Sequence, residues 1–162
     1  MLFMNRSNES AYSSFSKGTC KQLTHGDFVI TDFNGFSKDG SKIYYRSTEV
    51  SPLERHCYMM DIKSGKVTKI TKEHGTHDIT PSASGKYFLD YYTSTDVPYN
   101  MDVMDAKGKF ICRMHEADNP LKDYYLGETT LGTLKAEDGQ TLYTRLIKPY
   151  NFDASKKYPV IA

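Results

Sequence analysis

The feature that most constrains the fold is a repeat of about 45 residues. Gly40 and Gly85 lie 45 residues apart, and each ends a short polar turn before an aromatic-rich segment, Ser41–Thr48 or Lys86–Ser94. Aromatic and β-branched residues favour strands, and a glycine turn in front of them is typical of a hairpin. The same strand is therefore expected at the same place in two repeats.

Later parts of the chain repeat at nearly the same spacing, which supports this prediction. Asp61 and Asp105 end apolar segments 44 residues apart, and the turn glycines that follow, Gly65 and Gly108, are 43 residues apart. An incomplete earlier copy begins with Leu2–Ser7. Short strands joined by glycine turns at this period predict an all-β fold, with antiparallel four-stranded blades of a partial β-propeller. Strands at this spacing also occur in β-sandwiches, but a sandwich would not repeat its strand residues in register.

The number of blades is too small for a closed ring. Closed propellers have about four to eight blades, whereas the repeat accounts for two and part of a third. An open blade face of roughly 600 Å², half of it apolar, would forfeit about 8 kcal/mol, which rivals the stability of a whole domain. We expect the isolated chain to be marginally stable or to pair its open faces with another copy.

The last forty residues break the repeat. A turn at Asp138-Gly139 leads into a predicted strand, Leu142–Ile147, and a loop from Pro149 leads to an apolar segment, Tyr158–Ala162. An apolar start of this kind is typical of a buried strand. We expect these strands to open a further domain that continues past Ala162.

Charge and hydropathy exclude several classes of partner. The chain has 21 Lys and Arg against 20 Asp and Glu, a net charge of +1, so no strong field draws it to nucleic acid or to an anionic membrane. No apolar run approaches the roughly 20 residues of a membrane span. The three cysteines, Cys20, Cys57 and Cys112, are odd in number and widely spaced, which predicts free thiols rather than a zinc site or a disulfide framework.

No motif in the chain predicts a catalytic nucleophile or a nucleotide site. The Gly-x-Ser-x-Gly elbow, the P-loop and the glycine-rich dinucleotide fingerprint are all missing from the sequence. His74 and His77 have an H-x-x-H spacing, but Gly75 and Pro81 favour a loop between blades over a metal-binding helix. Five aspartates are expected at turns, where they bond local backbone N–H groups: Asp39, Asp61, Asp78, Asp96 and Asp105.

One polar insertion is long enough to carry a function. It runs over residues 48–56 and contains Glu49, Glu54, Arg55 and His56. The simpler interpretation is an extended hairpin loop in which Glu54 and Arg55 pair with neighbours, and a contact with another domain or subunit is the alternative. Asn5 and Asn8 each begin a glycosylation triplet, a weak signal because such triplets are common.

Several segments together resemble the dipeptidyl peptidase IV branch of the prolyl oligopeptidase family. The most specific is Asn151–Val160, and weaker ones occur in the family's order along almost the whole chain: Lys21–Gly26, Ser47–Arg55, Lys72–His77 and Gly85–Tyr92. The resemblance implies that residues 1–128 are the last blades of an eight-bladed propeller. It implies that residues 129–162 are the linker and first strands of an α/β-hydrolase domain.

The same resemblance limits what this chain can do. In the family, the Ser, Asp and His of the catalytic triad lie beyond Ala162, and the residues that grip the substrate lie before Met1. No residue here inherits a catalytic, cofactor-binding or metal-binding role, no cofactor is implied, and the chain alone is expected to be inactive. Its role would be geometric, because the propeller gates access of peptide substrates to its own hydrolase domain.

The function implied for the whole protein is removal of N-terminal dipeptides, preferentially those with proline second. The protein would be an exported bacterial enzyme, periplasmic, secreted or at the cell surface, with a homodimer as its assembly and no nucleic acid or membrane span. Two alternatives stay open: a family member with tripeptidyl, acylaminoacyl or oligopeptidase specificity, and a propeller that binds partners without chemistry. The Asn151–Val160 block favours a peptidase over a pure binding module.

Overall fold

The computed structural model describes residues 2–5, 11–16 and 19–161, and the side chains from Gln22 onward. Thirteen strands are found in these ranges and none of the described residues lies in a helix. The strands, in chain order, are β1 Leu2–Asn5, β2 Ala11–Ser16, β3 Thr19–Gln22, β4 Ile30–Phe36, β5 Lys42–Ser47, β6 His56–Asp61, β7 Val67–Lys69, β8 Thr76–Pro81, β9 Tyr87–Thr93, β10 Asn100–Asp105, β11 Phe110–Glu116, β12 Thr129–Lys135 and β13 Thr141–Ile147.

Among the described residues, each sheet is built from strands that are consecutive along the chain, and the pairings between these strands are antiparallel. Strands β4 to β7 form one four-stranded sheet, here called blade A, and β8 to β11 form a second, blade B. A three-stranded sheet, β1 to β3, precedes them. This meander of four-stranded sheets confirms the predicted all-β blades.

The strand β5 shows why the aromatic-rich repeat folds in this way. Its residues alternate between two apolar clusters, because successive side chains of a strand point to opposite faces. Ile43 and Tyr45 pack with Ile30, Tyr58 and Met60 on one face of blade A. Tyr44 lies on the other face, so the middle of blade A is buried on both sides.

The second apolar cluster joins the two blades. Tyr44 and Cys57 of blade A pack with Ile79, Phe88 and Met104 of blade B. The Tyr44 and Phe88 rings meet edge to face with centroids 5.0 Å apart, a favourable geometry for aromatic pairs. We call this contact between blades A and B the seam.

Two expectations about local structure were wrong. The segment from Thr76 to Pro81 is strand β8 and not a loop, so the connection between blades is residues 70–75, which include His74 and Gly75 but not His77. Residues 158–161 are not in a strand, and Val160 and Ile161 are 85% and 99% exposed. A strand forms only when a neighbour supplies hydrogen-bond partners, and no described neighbour pairs with this segment.

The chain divides into two compact units, residues 1–118 and 119–162. In the second unit, β12 and β13 form a hairpin whose turn has Gly139 at a φ of +85° and an Asp138 carboxylate that accepts from Gln140 N–H at 3.0 Å. The segment before β12 packs on the end of β13, since Lys148 N–H donates to Glu128 O at 3.0 Å. The boundary at residues 128 and 129 stays a prediction and lies inside this second unit.

Candidate functional site

Several of the polar residues that stood out in the sequence lie together at the seam. The connection from β5 to β6 ends in Glu54 and Arg55, and the connection from β7 to β8 carries His74 and Gly75. The two segments run side by side, because Arg55 N–H donates to Gly75 O at 3.1 Å and His77 N–H donates to Arg55 O at 2.9 Å. These backbone bonds tie the start of β6 in blade A to the start of β8 in blade B.

Glu54 is the carboxylate that connects these two segments at the seam. Its two carboxylate oxygens face two histidines, with His56 Nε2 at 2.7 Å and His74 Nδ1 at 2.9 Å. Burial alone would raise the pKa of Glu54, but hydrogen bonds from both histidines together outweigh it and lower the pKa. The expectation that Glu54 pairs with neighbours is confirmed. Arg55 donates to Pro52 O and Glu54 O, so its guanidinium stabilises the loop that contains it.

Glu49 does not join this junction. It lies at the surface of the insertion, where partial desolvation raises its pKa and nearby Lys69 opposes the shift. No hydrogen bond or ion pair joins its side chain to the described residues that hold the seam together. The insertion therefore contributes its last three residues, Glu54, Arg55 and His56, to the candidate site.

His56 is buried at the first position of β6, with 1% of its surface exposed. Its Nδ1 lies 3.1 Å from Thr71 Oγ1, and that hydroxyl oxygen also accepts from Cys57 N–H at 3.1 Å. Burial is the main cause of a lowered pKa for His56, because a buried cation loses its hydration. The ring is thus held by one carboxylate and one hydroxyl.

His77 is buried in β8, and its two ring nitrogens are both occupied. Nδ1 lies 2.8 Å from the Asp90 carboxylate, and Nε2 lies 2.8 Å from the backbone oxygen of Glu73. Tyr92 stacks on one face of the ring with centroids 4.6 Å apart. His77 and Asp90 have the contact of a catalytic dyad, but the nitrogen that would accept a proton from a nucleophile is bound to a carbonyl inside the protein. The pair is structural.

The two histidines of the H-x-x-H spacing, His74 and His77, lie in different environments and do not form a common site. His74 is at the surface, with its side chain 91% exposed, whereas His77 is inside blade B. Over the described residues, no three His, Cys, Asp or Glu side chains are grouped so that they could hold a metal ion. The structure pairs each histidine with a carboxylate instead.

The turn aspartates behave as expected at three of five positions. Asp39, Asp61 and Asp105 accept from backbone N–H groups two to four residues ahead. Asp78 is different, because it lies in β8 and accepts from the Asn34 side chain across the seam at 2.9 Å. At Asp96 the local acceptor is Ser94 Oγ, which receives the Asp96 N–H at 3.3 Å.

Arg46 makes a second polar contact across the seam. It lies in β5, donates to the Asp32 carboxylate on β4, and approaches Asp78 of blade B at 3.7 Å. Its Nη1 also lies 3.5 Å from His77 O. Together with the backbone bonds that join Arg55 to Gly75 and His77, this ion pair connects the two blades.

Asp90 and Thr71 are site residues that sequence reasoning missed. A signal for Asp90 was present, because it lies between Phe88 and Tyr92 on one face of an aromatic strand, and an acid at such a position needs a buried partner. Thr71 carries no comparable signal. Threonine is frequent near strand ends, and only the fold brings its hydroxyl to His56.

Comparison with known proteins identifies the family of this chain. A model of the family described as "Dipeptidyl peptidase IV (DPP IV) N-terminal region" matches residues 4–99, which is more than half of the chain. The chain belongs to the dipeptidyl peptidase IV family. It lies in the N-terminal propeller region of that branch of the prolyl oligopeptidases, so the resemblance seen in the sequence is confirmed.

Individual relatives agree with the family assignment. Dipeptidyl peptidase 4 of Arthroderma otae is 30% identical over 145 residues, which cover 86% of this chain and 19% of that protein. Dipeptidyl peptidase 4 of Trichophyton equinum is 28% identical over the same length and the same shares. The crystal structure of Porphyromonas gingivalis dipeptidyl peptidase 4 superposes with a TM-score of 0.84 at 25% identity, over 98% of this chain and 23% of that one.

The chain spans about a fifth of the length of the curated relatives it matches. These relatives include fungal and bacterial proteins, so the predicted bacterial origin stays a prediction. Within residues 2–5, 11–16 and 19–161, no helix has the length and apolar character needed to cross a membrane.

Proposed function

We propose that this chain supplies the closing blades of the propeller, and the linker that follows them, in a serine exopeptidase that removes N-terminal dipeptides. Proline is the preferred second residue of the substrate, and the propeller restricts access to the ends of peptide chains. The observation that carries the proposal is the family match over the blades, followed by the Asn151–Val160 block in a separate compact unit.

The role assigned to the blades is structural and not catalytic. Acyl transfer by serine needs a nucleophile, a base, an orienting acid and oxyanion donors within hydrogen-bond reach of one another. The described residues of the blades offer no such set, because the His77–Asp90 pair is closed off by Glu73 O. The triad is assigned to the hydrolase domain of the whole enzyme, and none of its members to this chain.

The seam supports this geometric role. A lid that selects substrates by access must keep its wall rigid, and the seam combines an apolar cluster with the Arg46–Asp78 ion pair between the blades. Residues 119–162, with the β12–β13 hairpin, are assigned to the connection between propeller and hydrolase. The whole enzyme is proposed to be exported and to assemble as a homodimer, with peptides as its substrates.

Hydrolysis of a matched pair of substrates tests the proposal. The full-length protein that contains this chain is assayed with Gly-Pro-p-nitroanilide and with the same compound acetylated at its amino group. We expect release of p-nitroaniline only from the free amine, and labelling of one serine by a fluorophosphonate probe. The 162-residue chain alone is expected to do neither.

Other outcomes separate the alternatives. Cleavage of a free tripeptide anilide, or of the acetylated compound, in preference to Gly-Pro-p-nitroanilide would replace dipeptidyl specificity with that of a related family member. Absence of both turnover and serine labelling in the full-length protein would overturn the enzymatic proposal and favour a binding propeller.

A further inference from the structure

Two histidines from different blades are stacked inside the seam. The rings of His56 in blade A and His77 in blade B have centroids 5.3 Å apart at an angle of 26°. Their exposed fractions are 1% and 2%, so water does not screen one ring from the other. The charge on this pair therefore acts directly on the contact between blades.

The partners of His77 require it to donate from both nitrogens. A backbone carbonyl can only accept, so Nε2 must carry a proton toward Glu73 O. The Asp90 carboxylate is an acceptor as well, so Nδ1 also carries a proton when Asp90 is ionised. The resulting imidazolium and carboxylate cancel each other's charge, and Tyr92 presents its ring face to the cation.

The partners of His56 fit a neutral ring. Thr71 Oγ1 already accepts from Cys57 N–H, which leaves its own proton free to donate to His56 Nδ1. Nε2 then carries the one ring proton and donates it to Glu54. The seam is thus built from one neutral and one cationic ring, and only the cationic ring has a buried counter-ion of its own.

We propose that the His56–His77 stack is an acid-sensitive latch between blades A and B. When His56 takes up a second proton, two cationic rings face each other in a site that excludes water, and the repulsion between them loosens the seam. Interactions between charges are much stronger in such a site than in water. This inference concerns the blades themselves and does not depend on the peptidase activity proposed above.

The surrounding groups offset the added charge only in part. Each neighbouring element presents titratable or charged side chains toward the stack: Glu54 and Cys57 beside His56, Lys69 from β7, Arg46 from β5, His74 from the connection, Asp78 beside His77, and Asp90 and Tyr92 from β9. Asp90 is already engaged by His77, and Glu54 is shared with His74. Burial is the largest cause of the lowered pKa of His56; Glu54 opposes it through its hydrogen bond and charge, while Lys69 and His77 add to it.

Hydrogen exchange on the full chain tests the latch. The amides of Arg55 and His77 bond across the seam, so their protection, corrected for intrinsic rates, reports its opening. We expect protection at these two amides to fall about tenfold between about pH 7.5 and about pH 5. Amides of the β9–β10 ladder, inside blade B, should change much less.

Two variants make the test specific. In His56→Gln, the amide can donate to Glu54 and accept from Thr71 without gaining a charge, and we expect the pH effect at Arg55 and His77 to vanish. In His25→Gln, an exposed histidine outside the seam is lost, and the effect should persist. A pH effect of equal size in His56→Gln would overturn the proposal.

A second measurement decides the matter if His56→Gln fails to fold. Imidazole ¹⁵N NMR of the unmodified chain distinguishes neutral from doubly protonated rings. From the hydrogen bonds of the closed seam we expect a neutral His56 and a doubly protonated His77, and we expect seam protection to fall as His56 protonates. A His56 that protonates with no change in protection at Arg55 and His77 would overturn the latch.

Discussion

Gly40 and Gly85 hold the same backbone conformation at equivalent turns of blades A and B, each with a φ of +68°. Each N–H donates back to a serine carbonyl three residues earlier, Ser37 O at 2.8 Å or Ser82 O at 2.9 Å. L-residues with side chains rarely adopt this left-handed conformation. The repeat in the sequence is therefore a repeat of one turn geometry.

Replacing either glycine by alanine should destabilise the fold through backbone strain alone. A Cβ atom at Gly40 or Gly85 would meet nothing within 4 Å, so the expected loss in the free energy of unfolding is about 1 kcal/mol. Asparagine tolerates this conformation better than alanine. Denaturant unfolding should rank each site as Gly, then Asn, then Ala. Equal stability of the Asn and Ala variants would contradict the strain argument.

The strands that follow these turns could be predicted from the sequence because local chemistry decides them. Turn glycines, aromatic alternation and turn aspartates are contained within a few residues, so β5, β6, β9 and β10 were expected close to where they lie. The strand β8 was missed, since Asp78 and Pro81 are poor strand formers in isolation. Pairing with β9 and burial of Ile79 override that weak preference.

The candidate site could be predicted only in part. Glu54, His56 and His77 stood out as residue types, but their partners did not, because Thr71 and Asp90 come from other strands and meet them only through the fold. Asp78 was expected at a turn and instead bonds Asn34, 44 residues away in the sequence. Contacts at such distances depend on how blades stack, which a single repeat does not encode.

Removing the negative charge of Asp32 should weaken the fold more than removing that of Asp78. The Asp32 carboxylate accepts from two guanidinium nitrogens of Arg46, whereas Asp78 is 3.7 Å away and more exposed. We expect Asp32→Asn to lower the free energy of unfolding by about 1 kcal/mol, and Asp78→Asn by less. In the Arg46→Met background the cost of Asp32→Asn should largely disappear, and a cost of the same size there would contradict the pairing.

Lowering the pH should remove a stabilising contribution of Asp39 in a defined range. Hydrogen bonds from Ser37 Oγ and from the N–H and Oγ of Ser41 lower the pKa of Asp39 from 3.8 to about 2. The folded protein thus binds fewer protons than the unfolded one, and the contribution, fully present above pH 3.8, is lost as the pH falls toward about 2. NMR titration of the Asp39 carboxyl carbon checks the value. In Asp39→Asn, stability should vary less over that range, and an unchanged slope would contradict this assignment.

The thiols of Cys57 and Cys112 should differ strongly in reactivity. Cys57 is fully buried in the seam, and burial raises the pKa of its thiol, with the nearby Asp90 carboxylate adding to the shift. Only the thiolate reacts with alkylating reagents, so we expect iodoacetamide at about pH 8 to label Cys112, which is exposed on β11, and to leave Cys57 intact until the protein unfolds. Peptide mapping by mass spectrometry separates the sites, and Cys112→Ser serves as the control. Labelling of Cys57 at the rate of Cys112 in the folded chain would mean that the seam opens readily, contrary to the packing of Cys57 against Ile79 and Phe88.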